Sequence, residues 1–302
     1  MKVISIHKES EIKDFYLKEL INNKVFNHSL YYLSDKISDY NDRRKNEYDN
    51  KSIESTFFKK HLGSQLNNIS FISLGCGDSM PEYHLLNELS EFGIKYYAID
   101  CSEYMLKESH KNLKEIKLKK IHILADFIRC QSFGRLVTDF DLNKKKLFIM
   151  NGGTFGNFSL NKVDHILSFL NKSDYIYIDI VSYTTKEEVN KLNTRYEDTI
   201  NHSDEVFKTF FETLGIDHSK GKFILDKSVN SLLGAINYHF KFIPISSIEK
   251  YNIGKHSIDV LNIFAYEEKS LIKMFKGKNF EFMGALETSR NTFNKKYLFK
   301  KG

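Results

Sequence analysis

The sequence predicts an α/β fold in which a mostly parallel β-sheet has helices on both faces. Between residues 69 and 182, short apolar runs typical of buried strands alternate with segments of helical spacing, and this alternation indicates a parallel sheet. Four successive predicted strands also end in polar residues or glycine. Open α/β sheets bind their ligands at the carboxyl ends of their strands, so these residues are the first candidates for a functional site.

The first predicted strand leads into a glycine turn. The run Ile69–Leu74 is apolar and is followed by Gly75-Cys76-Gly77, and a helical pattern opens near Pro81. Glycine allows the backbone to approach a ligand closely, a helix start offers unpaired N–H groups, and proline suits a first helical position. A lone Gly-x-Gly pair also occurs in ordinary turns, so this motif needs support from the strands that follow.

The next three predicted strands supply that support. Lys95–Asp100 ends in a carboxylate, at the place where nucleotide-binding α/β folds put an acid on ribose hydroxyls. The strand at residues 121–125 is followed by Asp126-Phe127, and the strand at residues 146–150 by Asn151-Gly152. The third glycine of the dinucleotide-binding fingerprint is absent.

An acid that ends strand two and an Asp-aromatic pair that ends strand three resemble the class I S-adenosylmethionine (SAM)-dependent methyltransferases. The resemblance implies a Rossmann-like seven-stranded sheet and SAM as cofactor, with the glycine loop round its methionine part, Asp100 on the ribose and Asp126-Phe127 at the adenine. Ser102 also has a plainer interpretation as a helix N-cap. The residues expected to bind SAM are Gly75, Gly77, Asp100, Ser102, Asp126, Phe127, Asn151 and Gly152.

Three segments resemble a narrower family, the histidine-specific methyltransferases, which include the ergothioneine-pathway enzyme that trimethylates the α-amine of histidine. Residues 151–157, Asn-Gly-Gly-Thr-Phe-Gly-Asn, are similar to its Gly-(Ser/Gly)-Thr-Ile-Gly-Asn signature. Residues 46–48 with Glu54 resemble its Pro-Glu-Tyr-Tyr segment, and residues 195–198 resemble its Tyr-Asp-Asp segment. The three matches fall in the same order as in the family, which makes them more specific together than singly.

The family pattern implies roles for three side chains. Asn157 would bind the amino group of the substrate, and Tyr196 and Tyr48 would hold its carboxylate or frame the pocket; Asn157 and Tyr196 are the candidate catalytic residues. The alternative for Asn157 is a turn or helix-cap residue. The alternative for the two tyrosines is amphipathic packing, since the chain contains 17 tyrosines.

Two departures from the family pattern concern the acceptor. A Glu-x-Ser that binds the imidazole in the histidine-specific enzymes aligns with Asn262 and Phe264, and Pro81 lies near the place of a lysine expected after the glycine loop. An amide and an aromatic ring cannot hydrogen-bond imidazole as a carboxylate and a hydroxyl do, and such losses are costly for discrimination. We therefore expect Asn262 and Phe264 to contact an acceptor other than free histidine.

The rest of the chain is expected to surround this core in four parts. Residues 1–65 have helical spacing and form the N-terminal part of a substrate lobe, and residues 66–185 form the SAM-binding core. Residues 186–262, a helical stretch followed by a hairpin or meander, form an insertion after strand five that completes the lobe. Residues 263–302 add a last helix and an antiparallel strand pair that complete the core sheet.

The amino-acid composition favours some classes of protein over others. The 302 residues are 41% hydrophobic and 14% aromatic, enough for a large core. The three cysteines show no paired metal spacing and are expected to be reduced thiols, with no metal site. The net charge of +6 comes from lysines interleaved with acids, which disfavours a nucleic-acid partner. The N-terminal apolar run is too short for a signal peptide and no long apolar span is present, so a cytoplasmic protein without membrane contact is expected.

Three functions follow as hypotheses. The favoured one is a SAM-dependent N-methyltransferase that acts on the amine of an amino acid or amino-acid-derived small molecule. A nucleic-acid or protein methyltransferase has only the overall charge in its support. A SAM-binding regulatory protein without turnover is the third, supported by the departures from the family pattern. The oligomeric state and the number of methyl groups transferred do not follow from the sequence.

Overall fold

The computed structural model describes residues 3–27, 29–33, 53–130, 133–202, 207, 211–212, 214–231, 233–251, 253–287 and 293–302. Within these residues, eleven strands belong to one sheet. The strands are β1 (Val3–Ser5), β2 (Ile69–Leu74), β3 (Lys95–Asp100), β4 (Lys119–Leu124), β5 (Lys145–Met150), β6 (Tyr175–Tyr183), β7 (Gly221–Asn230), β8 (Ala235–Pro244), β9 (Ile258–Glu267), β10 (Phe280–Glu287) and β11 (Asn294–Lys301).

The helices of the described residues pack against this sheet through apolar stripes at helical spacing. Helix α1, for example, buries Ile12, Tyr16 and Leu20, which recur every four residues and so share one face. The helices are α1 (Glu9–Asn23), α2 (Ser29–Tyr32), α3 (Ile53–Leu62), α4 (Tyr83–Leu89), α5 (Glu103–Asn112), α6 (Phe133–Thr138), α7 (Leu160–Leu167), α8 (Lys186–Asn201) and α9 (Glu268–Gly277).

Seven of the strands form the central sheet. Its order is β4-β3-β2-β5-β6, with all neighbours parallel, followed by β11, which is antiparallel to β6, and β10, which is antiparallel to β11. Every residue of β2 is buried, as expected for a strand with helices on both faces of its sheet. The α/β class and the Rossmann-like seven-stranded sheet predicted from the sequence are confirmed.

Two features of the sheet differ from the expectation. The N-terminal apolar run forms strand β1, which pairs in parallel with β4 at one edge. The insertion was expected to complete the lobe, and its strands also extend the central sheet, because β9 pairs with the end of β6 at Ser182↔Tyr266 and Tyr183↔Glu267. The hairpin β7–β8 then extends the sheet beyond β9.

Three apolar clusters fill the space between the sheet and its helices. One lies on the face covered by α7 and α9, with Phe155 and Phe275 among its members. A second lies on the opposite face, where Phe58 of α3 and Leu85 of α4 pack. The third lies in the lobe and joins α1, α8 and the strands β7–β9. The N-terminal helix and the insertion therefore share one core.

Candidate active site

A cleft with an empty volume of about 1070 Å³ lies at the carboxyl ends of β2, β3, β4 and β5. Segments that follow these four strands and residues of the N-terminal segment line it. The lining residues after the strands are Gly75, Cys76, Gly77, Asp78, Pro81, Asp100, Cys101, Met105, Ala125, Asp126, Phe127, Ile128, Asn151, Gly152, Thr154, Asn157, Phe158 and Lys162. The N-terminal segment contributes Tyr16, Asn27, Ser29 and Tyr32.

The glycine loop after β2 is fixed to the end of β3. Gly75 and Gly77 have φ values of +69° and +53°, a left-handed backbone that favours glycine. The N–H groups of Gly75 and Cys76 donate to the Ile99 carbonyl at 2.9 and 3.0 Å, and the Gly77 N–H donates to Asp100 Oδ2 at 2.9 Å. The loop therefore presents backbone to the cleft in one defined position.

Asp100 is the acid at the end of β3, and its side chain links two loops. Oδ2 accepts from Gly77, and Oδ1 accepts from the Ser102 N–H at 2.9 Å. Burial raises the pKa of Asp100, and the backbone hydrogen bonds oppose this shift. A carboxylate has about four lone-pair sites, so Asp100 keeps acceptor capacity for hydroxyl groups of a ligand.

Asp126, after β4, is held by the N-terminal segment as well as by its own loop. Oδ1 accepts from the N–H groups of Ile128 and Arg129 at 3.2 and 3.3 Å, and Oδ2 accepts from the Tyr16 hydroxyl at 2.8 Å. Burial and the neighbouring carboxylate raise the pKa of Tyr16 well above its usual value. The Asp126 N–H in turn donates to His7 Nδ1 at 3.1 Å. Oδ2 also lies 3.9 Å from Arg129 Nε in an ion pair, and it keeps one acceptor position for a ligand donor.

The segment after β5 forms the opposite wall. Gly152 has a φ of +69°, and a Cβ added there would meet nothing within 4 Å. The turn Thr154–Asn157 that follows is a 3-10 helix, and Thr154 Oγ1 donates to the Asn151 carbonyl at 3.0 Å. Asn157 ends this turn and lines the cleft.

Strand β9 of the lobe packs against the same turn. An added Cβ on Gly156 would lie 3.5 Å from the Phe264 carbonyl oxygen. Asn262 lies two residues earlier on the same face of β9, and its Oδ1 accepts from Asn237 Nδ2 at 3.2 Å. Neither Asn262 nor Phe264 is among the described residues that line the cleft. The lobe is therefore next to Asn157 without entering the cleft through these two side chains.

Three other residues named from the sequence lie elsewhere. Ser102 is fully buried and its Oγ accepts from the Met105 N–H at 3.3 Å, so it caps α5 and does not line the cleft. Tyr196 is 5% exposed and packs on Tyr238 in the lobe core, with ring centroids 4.4 Å apart. Tyr48 lies outside the described residues.

The individual side chains by which the N-terminal segment lines the cleft have no signal in the sequence. Tyr16, Asn27, Ser29 and Tyr32 come from α1, α2 and the turn between them. The spacing of Tyr16 from Ile12 and Leu20 indicates only a side chain in the apolar stripe of a helix. No local motif marks a tyrosine whose ring packs in a core while its hydroxyl meets a carboxylate 110 positions away, so this contact follows only from the tertiary fold.

The described lining residues include three carboxylates, Asp78, Asp100 and Asp126, and one cation, Lys162. Cys76 and Cys101 also line the cleft, and burial raises the pKa of both thiols well above the usual value. Thiols in such surroundings are neutral and unreactive. In the described ranges, no cluster of three or more His, Cys, Asp or Glu residues could hold a metal ion, and no helix there is long and apolar enough to span a membrane.

The sequence and the fold were compared with those of known proteins. A family model described as "Histidine-specific methyltransferase, SAM-dependent" matches residues 42–215, more than half of the 302 residues. No curated protein sequence matches the chain. Solved structures with a similar fold include an O-methyltransferase family protein from Burkholderia thailandensis, with a TM-score of 0.51, 8% identity and coverage of 97% of this chain and 70% of that one. A SAM-dependent methyltransferase from Leishmania major has a TM-score of 0.48, 13% identity and coverage of 97% and 91%.

The residues of the cleft fit SAM. The surplus of carboxylates suits a ligand with a sulfonium and an ammonium group, and Asp100 retains acceptors for ribose hydroxyls. Asn151 Oδ1 is shielded from water and has no hydrogen-bond partner among the described residues, so it can accept from a bound ligand. With more than half of the sequence matched by the family model, this chain belongs to the histidine-specific, SAM-dependent methyltransferase family and is a SAM-dependent methyltransferase.

Proposed function

We propose that this enzyme methylates the amine nitrogen of an amino acid, or of a small molecule derived from one, and that free histidine is not its acceptor. The observation that supports this most is the position of Asn157, which lines the cofactor cleft at the turn against which lobe strand β9 packs. An acceptor bound in the cleft beside that turn would meet the cofactor at Asn157.

Methyl transfer requires the protein mainly to align the acceptor amine with the methyl group of SAM. SAM supplies a methyl group that its sulfonium already activates for transfer. The Asn157 carboxamide oxygen would accept an N–H of the amine, which directs the nitrogen lone pair toward the cleft. The lobe would exclude water from the site. A dedicated strong base is not required, provided that the acceptor amine binds in its neutral form.

The residues on β9 are the reason for excluding histidine. In this chain a carboxamide, Asn262, and an aromatic ring, Phe264, occupy the positions of the imidazole-binding carboxylate and hydroxyl, and Asn262 Oδ1 is already engaged by Asn237. Asn237 Oδ1 has no partner among the described residues. Neutral amides beside a phenyl ring provide no carboxylate to pair with an imidazole N–H, so these residues do not reproduce the histidine-binding pattern of the family.

The lobe as a whole is proposed to hold the acceptor. It joins the N-terminal helices, expected from residues 1–65, to the insertion at residues 186–262 through one apolar cluster. Within it, Tyr196 and Tyr48 stay predictions as substrate-binding residues. Burial raises the pKa of Tyr196 to about 12, so its hydroxyl would act at neutral pH as a hydrogen-bond donor or acceptor and not as a base.

The test of this proposal compares acceptors directly. Purified protein with SAM is given free histidine, or a pool of the other amino acids and biogenic amines, and release of S-adenosylhomocysteine is measured. We expect turnover with the pool and none above background with histidine. Turnover of histidine at rates typical of the family would contradict the exclusion, while leaving the enzyme class intact.

The double variant Asn262→Glu/Phe264→Ser tests the two residues on β9. It restores the carboxylate and hydroxyl of the family pattern, and glutamate can still accept from Asn237 Nδ2. We expect histidine turnover by the variant to reach about 100-fold above background, because paired polar contacts control discrimination of this size. The matched control is Phe282→Ser, which removes a 39% exposed ring from β10 and should leave the acceptor preference unchanged.

Tyr16→Phe tests the contact between the N-terminal segment and the cleft. It removes only the hydroxyl that donates to Asp126, and we expect calorimetry to show that S-adenosylhomocysteine binds about three- to tenfold more weakly, as for the loss of one net hydrogen bond. Tyr175→Phe is the control, since its hydroxyl donates to Gln65 at 2.8 Å, a residue that does not line the cleft. Equal affinities for the two variants would show that the Tyr16 contact is not coupled to the cofactor.

A further inference from the structure

A buried polar layer adjoins the cleft on one face of the sheet. It consists of one side chain from each of four neighbouring strands or strand ends: Ser73 (β2), Asn151 (after β5), Asp179 (β6) and Lys296 (β11). Two acids cover this layer. Glu54 of α3 forms an ion pair with Lys296, and Glu82 belongs to the 3-10 turn Met80–Glu82 that follows the glycine loop. Only Asn151 belongs both to the layer and to the cleft wall.

Glu82 is the member in contact with Asn151. It is 1% exposed, and its Oε1 accepts from Asn151 Nδ2 at 3.1 Å and from Ser73 Oγ at 3.2 Å. Glu82 Oε2 and Asn151 Oδ1 are both buried without a hydrogen-bond partner in the described part of the chain. Buried polar atoms are rarely left without partners, so the free Asn151 oxygen indicates a donor that arrives with a ligand.

The hydrogen bond between Glu82 and Asn151 determines which way the Asn151 carboxamide is turned. An ionised carboxylate only accepts hydrogen bonds, so Asn151 must turn Nδ2 toward Glu82 and Oδ1 away from it. We propose that Glu82 is a positioning residue, which holds the Asn151 carboxamide so that Oδ1 accepts a hydrogen bond from the α-ammonium group of bound SAM. This inference rests on the cofactor of the family alone and is independent of the acceptor.

Protonation of Glu82 would weaken its hold on the orientation of the Asn151 carboxamide. Burial raises the pKa of Glu82 to about 7, against the opposing effects of the hydrogen bonds and of Lys296. The other charged or titratable groups near Glu82 are Glu54, Cys76 and Tyr96, while Asp179 acts on Lys296. A protonated Glu82 gains an O–H donor beside its remaining acceptor oxygen, so it no longer holds the amide in one orientation. The orientation that presents Nδ2 to the ammonium becomes accessible, which disfavours binding.

The experiment measures the dissociation constant of S-adenosylhomocysteine by calorimetry at pH 6 and pH 8, for the unaltered enzyme and for Glu82→Gln and Glu82→Met. S-adenosylhomocysteine has the same α-ammonium group as SAM. For the unaltered enzyme we expect binding to be tighter at pH 8 by up to about tenfold, because the ionised fraction that holds the amide in one orientation rises by about that factor when the pKa is near 7. Glu82→Gln cannot ionise and should show no more than about a twofold change between the two pH values.

Glu82→Met tests the hydrogen bond itself, because the apolar methionine side chain cannot accept from Asn151 Nδ2. It should bind at least about tenfold more weakly than the unaltered enzyme at pH 8 and show no pH dependence. All other titratable groups, including His7, are the same in the three proteins. A difference between them in how much the dissociation constant changes from pH 6 to pH 8 is therefore caused by residue 82. The proposal is overturned if Glu82→Gln keeps the pH dependence of the unaltered enzyme, or if the unaltered enzyme binds equally at both pH values.

Discussion

Asp100→Asn is expected to weaken the binding of S-adenosylhomocysteine by about 100-fold or more. The variant would lose the charge-assisted hydrogen bonds that Asp100 is proposed to make to ribose hydroxyls, and such bonds are among the stronger polar contacts. The amide also has no suitable orientation, since both oxygens of Asp100 accept from backbone N–H groups, those of Gly77 and Ser102. The Nδ2 group of asparagine would face one of these donors whichever way it turned. Calorimetric titration of the variant measures the effect.

Asp217→Asn is the matched control for this experiment. Asp217 also accepts from a backbone N–H, that of Ser219 at 3.1 Å, but its side chain is 50% exposed and lies just before β7 in the lobe. We expect its affinity for S-adenosylhomocysteine to stay within about twofold of the unaltered enzyme, because a surface change far from the site rarely affects binding. An Asp100→Asn variant that binds as tightly as this control would show that the ribose is held elsewhere.

Asn157→Ala should lower turnover by about 100-fold while leaving the affinity for S-adenosylhomocysteine within about threefold. A small misplacement of a reacting atom has an effect of this size on the rate, and Asn157 is proposed to align the acceptor amine and not to bind the cofactor. Steady-state kinetics with the best acceptor of the pool, together with calorimetry, separate the two quantities. If the variant lost cofactor binding in parallel with turnover, Asn157 would instead be a cofactor-binding residue.

The control for Asn157→Ala is Asn161→Ala in the first turn of α7. Asn161 is exposed and does not line the cleft, so the substitution tests whether a change of the same kind nearby disturbs the helix alone. Both quantities should stay at the level of the unaltered enzyme. A comparable loss of turnover in both variants would indicate that α7, and not the Asn157 carboxamide, is responsible.

The core sheet could be predicted because its signals are local. Ile69–Leu74 and Lys95–Asp100 are strands with the same bounds that the sequence indicated, since each is a short apolar run ended by glycine or a carboxylate. Seven of the eight residues expected to bind SAM line the cleft, because parallel strands bring their carboxyl ends to one edge. Ser102 is the exception: it follows Asp100 directly, but its side chain turns into α5.

The parts that could not be predicted depend on contacts between distant segments. The pairing of β9 with the end of β6 involves only two residues on each strand, and no pattern in either strand encodes it. Glu82 follows Pro81 near a predicted helix start, where an acid is ordinary, yet in the fold its carboxylate contacts Asn151. The Tyr16 hydroxyl is another example, since an amphipathic side chain at helical spacing is first of all a core residue.

Mass spectrometry of the reaction products tests the central claim most directly. The purified enzyme is incubated with SAM and pooled amino acids and biogenic amines, histidine included, and each acceptor is examined for added methyl groups and their position. We predict an acceptor other than histidine with one to three methyl groups on its amine nitrogen, together with S-adenosylhomocysteine. Methyl groups on histidine, or on an oxygen or carbon atom of any acceptor, would contradict the account.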